Sequence, residues 1–194
     1  MRTDRVGLLL DQLETSLDLS RDRLAGLTDD EYFWEPVPGC WSIRRREESS
    51  TPRAFGAGDW LIDLGGRPDP EPVTTIAWRL GHLVSMFRDR WEWTFGSRSI
   101  APEVNTEFTP SADEALDQLW TSARRWADGV AGLTDEQLDT VGFGQFPYGL
   151  DPQLPIVSIV WWMNREFIHH AAEVALLRDL YRWRGQSGSD APVR

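Results

Sequence analysis

Residues 155–183 read PIVSIVWWMNREFIHHAAEVALLRDLYRW, and this stretch is the longest helical segment that the sequence predicts. It follows a loop rich in Gly and Pro (142–155), and Pro155 fits the start of a helix. Three other segments show apolar residues at helical spacing. The sequence therefore predicts an all-α fold, a four-helix bundle in which this segment is the fourth helix.

The three other helices are each expected to begin at a capping residue. The first covers about 3–27 with Thr3 as N-cap, and the second covers about 74–95, beginning at Thr74 or Thr75. The third covers about 111–132, where Ser111 is followed three residues later by Glu114, which is the spacing of a capping box. Leu residues recur in the apolar stripe of each helix, joined by Val6 in the first, by Ile76, Phe87 and Trp91 in the second and by Trp120 and Trp126 in the third.

The stretch between the first and second helices, residues 28–72, is rich in Pro and Gly and predicts a long irregular insertion. Short strands are expected in it around Trp41 and around Trp60–Ile62. Residues 1–185 are predicted to form one domain, which is an ordinary size for a single core. The segment 186–194 is predicted to be a polar C-terminal tail.

The composition excludes several classes of function. The formal net charge is −11, with a sequence pI near 4.7, which argues against a nucleic-acid-binding surface. All 20 basic residues are Arg, so lysine Schiff-base chemistry and a P-loop are both excluded. A single cysteine, Cys40, cannot form an intrachain disulfide, and as an isolated loop thiol it is expected to be packed or exposed rather than catalytic.

The sequence gives no indication of export or of membrane insertion. The N-terminal segment is amphipathic and lacks an uninterrupted apolar run. No stretch approaches the length of about 18 apolar residues that a transmembrane helix needs. We therefore expect a cytoplasmic protein.

Two of the three histidines, together with Glu166, predict a metal site. Glu166 and His170 are four residues apart on the fourth helix, so their side chains share one face. His82 lies on the second helix between apolar residues that face inward. Two imidazoles and one carboxylate leave a fourth position open for water or substrate, as in catalytic zinc sites. On the residues alone, an intrahelical Glu–His pair and a packed core histidine remain alternatives.

Two motifs then carry a family resemblance. TTIAWRLGH (74–82) and EFIHHAAE (166–173) resemble the marks of the DinB-like (YfiT-like) superfamily, and GCWSI (39–43) and HAAEVALLRDLY (170–181) resemble actinobacterial members. The resemblance covers nearly the whole chain. It implies a four-helix bundle with one mononuclear metal at one end, bound by His82, Glu166 and His170.

The ligand set resembles that of the mycothiol-dependent maleylpyruvate isomerase branch, which binds zinc. Many members of the superfamily have His where this chain has Glu166, so nickel or another divalent metal stays open. His169 would point about 100° away from His170 and is expected to pack or to support the site. Glu173 is expected either to accept a hydrogen bond at the site or to be solvated.

Further residues of the two motif helices are candidates for binding a substrate or cofactor. Arg165 and Arg178 flank the site in sequence and are predicted to hold an anionic substrate, with surface ion pairs as the alternative. Trp78 and Asn164 are predicted to line the pocket.

The predicted function is that of a metal-dependent thiol S-transferase or isomerase, with mycothiol as the thiol cofactor and a small molecule as substrate. In it the metal would lower the pKa of the bound thiol. A metal-dependent hydrolase is a variant in which water replaces the thiol. The alternative from another class is a non-enzymatic, stress-associated bundle that binds a metal or ligand, or that acts as a homodimer.

Overall fold

The computed structural model describes residues 3–49, 51–66, 68–100, 106–145, 149 and 151–185. Four long helices make up most of it, and a short helix follows the first. In chain order the helices are α1 (Arg5–Leu24), α2 (Asp29–Tyr32), α3 (Ile76–Thr94), α4 (Ala112–Ala131) and α5 (Ile156–Trp183). The predicted all-α fold is confirmed.

The four long helices surround one apolar core. Helix α1 packs against α4 and α5, and α3 packs against the same two helices, so α1 and α3 lie on opposite sides of the bundle. Phe87 of α3 and Phe167 of α5 are fully buried, with ring centroids 6.0 Å apart, and Trp126 of α4 is also fully buried. Burying each such ring stabilises the fold by about 1.5–3 kcal/mol.

The first helix is shorter at both ends than its sequence pattern predicts. Asp4 is the N-cap in place of Thr3, because its Oδ1 accepts a hydrogen bond from the Gly7 amide at 2.5 Å. The helix ends at Leu24, since Gly26 adopts a φ of 68° that turns the chain away.

The capping residues predicted for the second and third long helices, α3 and α4, are confirmed. Thr75 caps α3 by accepting a hydrogen bond from the Trp78 amide at 3.2 Å. Ser111 caps α4 by accepting one from the Glu114 amide at 3.4 Å. The Thr75 cap fixes the start of α3, and with it the position of the helix face that carries His82.

The insertion between α1 and α3 contains a two-stranded antiparallel sheet, β1 (Ile43–Arg45) and β2 (Trp60–Ile62). The strand predicted around Trp60–Ile62 is confirmed. The other begins two residues after Trp41, which instead forms an isolated parallel bridge to Thr74. The register pairs Ile43 with Ile62, Arg44 with Leu61 and Arg45 with Trp60.

Hydrogen bonds to the buried Asp63 hold this insertion against the first turn of α3. The carboxylate of Asp63 accepts hydrogen bonds from the Ser42 amide and Arg44 Nε, both at 3.0 Å, and from Thr51 Oγ1 at 3.1 Å. Its carbonyl accepts a hydrogen bond from Trp78 Nε1 at 2.8 Å. The insertion therefore lies against the end of the bundle that holds the candidate metal ligands.

Among the described helices, none combines the length and apolar character needed to cross a lipid bilayer. The predicted C-terminal tail, 186–194, lies outside the described residues.

Candidate metal centre

His82 of α3 and Glu166 and His170 of α5 converge where these two helices pack. One ligand atom from each lies within 4.8 Å of the other two. His170 Nε2 and Glu166 Oε2 are 3.4 Å apart, close to the spacing of about 3–3.5 Å between ligands of a tetrahedral ion. His170 is buried, and the other two are half-buried. Two imidazoles and a carboxylate suit a divalent transition metal, so the donor set fits one.

Both imidazoles have a lowered pKa, which favours the uncharged form that can bind a metal. Burial is the main cause that lowers the pKa of His82, to about 3, and the neighbouring His170 and Arg79 lower it further. Burial also lowers the pKa of His170, although its hydrogen bond to Glu173 opposes that change. Near neutral pH both rings are therefore uncharged, which leaves a nitrogen lone pair on each for a cation.

The hydrogen bonds of His170 determine which of its ring nitrogens carries the lone pair. Its Nδ1 lies 2.7 Å from Glu173 Oε2 and 3.0 Å from Arg79 Nη1. A guanidinium only donates hydrogen bonds and a carboxylate only accepts them. Since Arg79 Nη1 is also 2.8 Å from Glu173 Oε2, the consistent assignment has Nδ1–H donating to Glu173. The lone pair then lies on Nε2, which points toward Glu166.

Trp78 holds the other imidazole in place. Its ring stacks on His82 with a centroid distance of 5.1 Å and an interplanar angle of 10°. The hydrogen bond from Trp78 Nε1 to the Asp63 carbonyl fixes the indole, and Trp41 packs near it at a centroid distance of 6.3 Å. Trp78 therefore supports a candidate ligand directly, and its predicted contact with a cofactor stays a prediction.

Arg165 lies at the outer side of the site. Its side chain is 52% exposed, its Nη2 pairs with Glu166 Oε1, and its guanidinium carbon is 5.6 Å from the centre of the Trp161 ring. A contact between Arg165 and an anionic substrate stays a prediction.

The structure does not bring Arg178 to the site, and the expectation that it holds a substrate is corrected. Its guanidinium is buried and donates hydrogen bonds to both carboxylate oxygens of Glu31, each at 3.2 Å. It also donates to the carbonyls of Arg23, at 2.7 Å, and Ala25, at 3.2 Å. Arg178 joins α5 to α2 and to the end of α1, and four of its five N–H donors are used in these contacts.

Asn164 also turns away from the site, so its predicted place in the pocket is corrected. Its Nδ2 donates to the carbonyl of Leu9 at 2.8 Å and to Gln12 Oε1 at 3.1 Å. Both partners belong to α1, because Asn164 lies on the buried face of α5 that packs against that helix. The residue fixes the α1–α5 contact.

His169, Glu173 and Cys40 all lie outside the set of three candidate ligands. His169 is 63% exposed and lies beside the set rather than in it, with Nε2 3.5 Å from Glu173 Oε1. Glu173 accepts the hydrogen bond of His170 already described. Cys40 is a buried loop thiol whose Sγ donates to the Val37 carbonyl at 2.9 Å, and burial raises its pKa.

Arg79 is the residue of this centre that the sequence did not reveal. It precedes His82 by three residues, so the two lie on one face of α3, and this spacing was the available signal. Its charge contacts Glu173 across the helix pair and also faces the centre of the Trp78 ring from 5.4 Å. Arg79 therefore adds to the effect of burial and lowers the pKa of both imidazoles further.

Comparison with known proteins agrees with this architecture. Residues 12–174 match the model of the DinB superfamily, a range that includes α3, α4 and the candidate ligands. The chain belongs to the DinB superfamily. Neither the curated proteins nor the solved structures contained a match to this DinB superfamily chain.

Proposed function

We propose that this DinB superfamily protein is a metal-dependent enzyme that uses a small thiol as its nucleophile. The convergence of His82, Glu166 and His170 carries the proposal, because it supplies three ligands and leaves further positions for an exogenous group. The metal is proposed to be zinc. The thiol is proposed to be mycothiol, on the resemblance of the ligand set to the mycothiol-dependent maleylpyruvate isomerase branch.

A bound divalent ion would lower the pKa of a thiol or water that binds beside it. The protein's own residues keep the site ready for that ion. Glu173 holds the proton of His170 on Nδ1 and Trp78 restrains the ring of His82, so the two imidazoles stay close to each other and to the Glu166 carboxylate. Arg165 would neutralise the oxygen of Glu166 that is not used for binding.

The source of the nucleophile follows from the position of the chain's thiol. Cys40 lies in the insertion, is buried, and has a raised pKa that disfavours the thiolate. An S-transfer reaction at this centre therefore requires a thiol from solution. With such a thiol, the sulfur would lose its proton to solvent and form a bond to an electrophilic carbon, while the bond from that carbon to its leaving group breaks and the group departs with the electron pair, as chloride does from monochlorobimane.

The first experiment tests the centre by metal analysis of purified protein. We expect one zinc per chain in the wild type and strong loss in His82→Ala and in Glu166→Ala. The matched control is His169→Ala, which removes the exposed imidazole next to His170. Equal metal content in all four proteins would show that these residues do not form the site.

The second experiment tests the thiol. The zinc-loaded protein is incubated with mycothiol and monochlorobimane, and conjugate formation is compared with His82→Ala. A rate above that of the variant supports the proposal. A metal-loaded wild type that shows no such excess would contradict the thiol function while leaving the metal centre intact, and hydrolysis or a non-enzymatic role would then be favoured.

A further inference from the structure

The outer face of α5 carries a continuous stripe of exposed residues on a helix whose other face is in the core. The stripe contains Trp161, Arg165, Ile168, Ala172, Leu176, Asp179 and Trp183. All seven fall within an arc of about 80° on the helix. The apolar ones are well exposed, from 39% for Ile168 to 64% for Trp183. Single exposed apolar residues are ordinary, whereas a contiguous stripe of them indicates an interface.

The order of residues along this stripe is symmetric about Ala172. Trp161 and Trp183 lie eleven residues to either side, and Ile168 and Leu176 lie four residues to either side. The two charged members, Arg165 and Asp179, lie seven residues to either side and have opposite signs. On a two-fold axis through that position, residues at equal distances on either side face each other across two antiparallel helices, and here each facing pair is either apolar or opposite in charge.

We propose that two copies of this chain associate through α5, packed antiparallel on a two-fold axis at Ala172. This inference goes beyond the proposed chemistry and does not depend on a bound metal. In this arrangement Trp161 meets Trp183 of the second copy, and Ile168 meets Leu176. The small side chain at the crossing point allows the helices to approach to about 8–10 Å.

The charges of the stripe match such a dimer. With a net charge of −11, two copies repel each other over most of their surface. The stripe itself is neutral, since antiparallel packing brings each Arg165 opposite Asp179 of the other copy. In the single chain these groups pair with Glu166 and Arg23 respectively, so both are charged and held at the surface. The dimer would give Arg165 a partner other than an anionic substrate.

Apolar surface continues beside the stripe onto α1. The stripe extends about 33 Å along α5, from the rise of 1.5 Å per residue. Beside it, a groove of about 270 Å³ between α1 and α5 is lined by Leu19, Ile168 and Ala172. Leu19 of α1 is 67% exposed and adds apolar surface next to the position of the proposed axis.

The register is tested by charge reversal, followed by sedimentation velocity. We expect the wild type to be a dimer. Arg165→Glu alone and Asp179→Arg alone should each raise the dimer Kd by about tenfold or more, because like charges would then face each other twice per dimer. The double variant, Arg165→Glu with Asp179→Arg, should recover the wild-type Kd. A monomeric wild type, or a double variant no tighter than the singles, would overturn the proposal.

The axis is tested by oxidative cross-linking, which does not depend on the charged pair. Ala172→Cys should form a disulfide-linked dimer rapidly, because a residue on the axis lies next to its own copy. The matched control is Leu180→Cys, on the same helix and 47% exposed. Its two copies would lie about 24 Å apart along the helix axis. Cys40 is buried and does not interfere. Equal cross-linking at both positions would overturn the assignment of the axis.

Discussion

Glu173 fixes the tautomer of His170 by accepting a hydrogen bond from Nδ1 at 2.7 Å, one turn along the same helix. Arg79 of α3 contacts the same carboxylate oxygen at 2.8 Å. His170 is thus oriented by the carboxylate of Glu173, and Arg79 of α3 holds that carboxylate in place. Because this arrangement joins α3 and α5 directly behind the ligands, the geometry of the site depends on how the two helices pack.

Glu173→Gln should weaken zinc binding by about 10–100-fold, as is typical when the carboxylate behind a ligating imidazole is lost. The amide cannot hold the Nδ1 proton as strongly, and the ring of His170 can then turn or change tautomer. The measurement is a competition titration against a zinc chelator. Glu136→Gln, an exposed glutamate outside the centre, is the matched control. An affinity equal to that of the control would contradict the role of Glu173.

Arg79→Met should raise the pKa of both His82 and His170 in the metal-free protein. A neighbouring positive charge disfavours the imidazolium, so its removal favours protonation. The pKa of His82 should stay below that of an unperturbed histidine, because burial is the largest cause of its lowering. NMR titration of the imidazole resonances measures this. Arg124→Met, on the exposed face of α4, should change neither pKa; if Arg79→Met also changes neither, Arg79 does not control the site.

The bundle and the Glu166–His170 pair could be predicted from sequence because both follow from local spacing, whereas His82, on another helix, was joined to that pair by the family resemblance. The repeat of apolar residues places four helices, and hydroxyl side chains at Thr75 and Ser111 mark where two of them begin. The i,i+4 spacing of Glu166 and His170 is enough to put them on one face. Such relations need no knowledge of which helix packs against which.

Contacts across the bundle could not be predicted in the same way. The position of Arg178 near the motif predicts a substrate-binding residue, yet its partner, Glu31, is 147 positions away in the chain. Asn164 bonds to Leu9 across 155 positions. An arginine or asparagine near a motif has the same local pattern whether it faces the site or a neighbouring helix. The role of Arg79 was missed for this reason.

Arg178→Met should destabilise the fold by about 3–5 kcal/mol, because it leaves the carboxylate of Glu31 buried without its counter-charge. Glu31 is 5% exposed and Arg178 is 1% exposed. Urea denaturation measures the loss. The double variant, Glu31→Leu with Arg178→Met, should be more stable than Arg178→Met alone. The control is Arg5→Met, which breaks the exposed pair with Asp139 and should destabilise the fold far less, because solvent screens that pair. A loss no larger than that control would show that the buried pair is not needed.

The same buried pair should make the stability of the protein depend on pH in acid. Burial alone would raise the pKa of Glu31, but hydrogen bonds from Arg178 and from the Thr28 amide outweigh it and lower the pKa below the ordinary 4.5. A carboxyl whose pKa is lower in the folded state stabilises the fold above its unfolded pKa. That stabilisation is lost as the pH falls through the folded value.

Glu31→Gln should therefore be less stable than the wild type near neutral pH, and the gap in unfolding free energy should shrink below about pH 4.5. Urea denaturation of both proteins over this range measures the gap, and a gap that does not change with pH would show that the pKa of Glu31 is not lowered by folding.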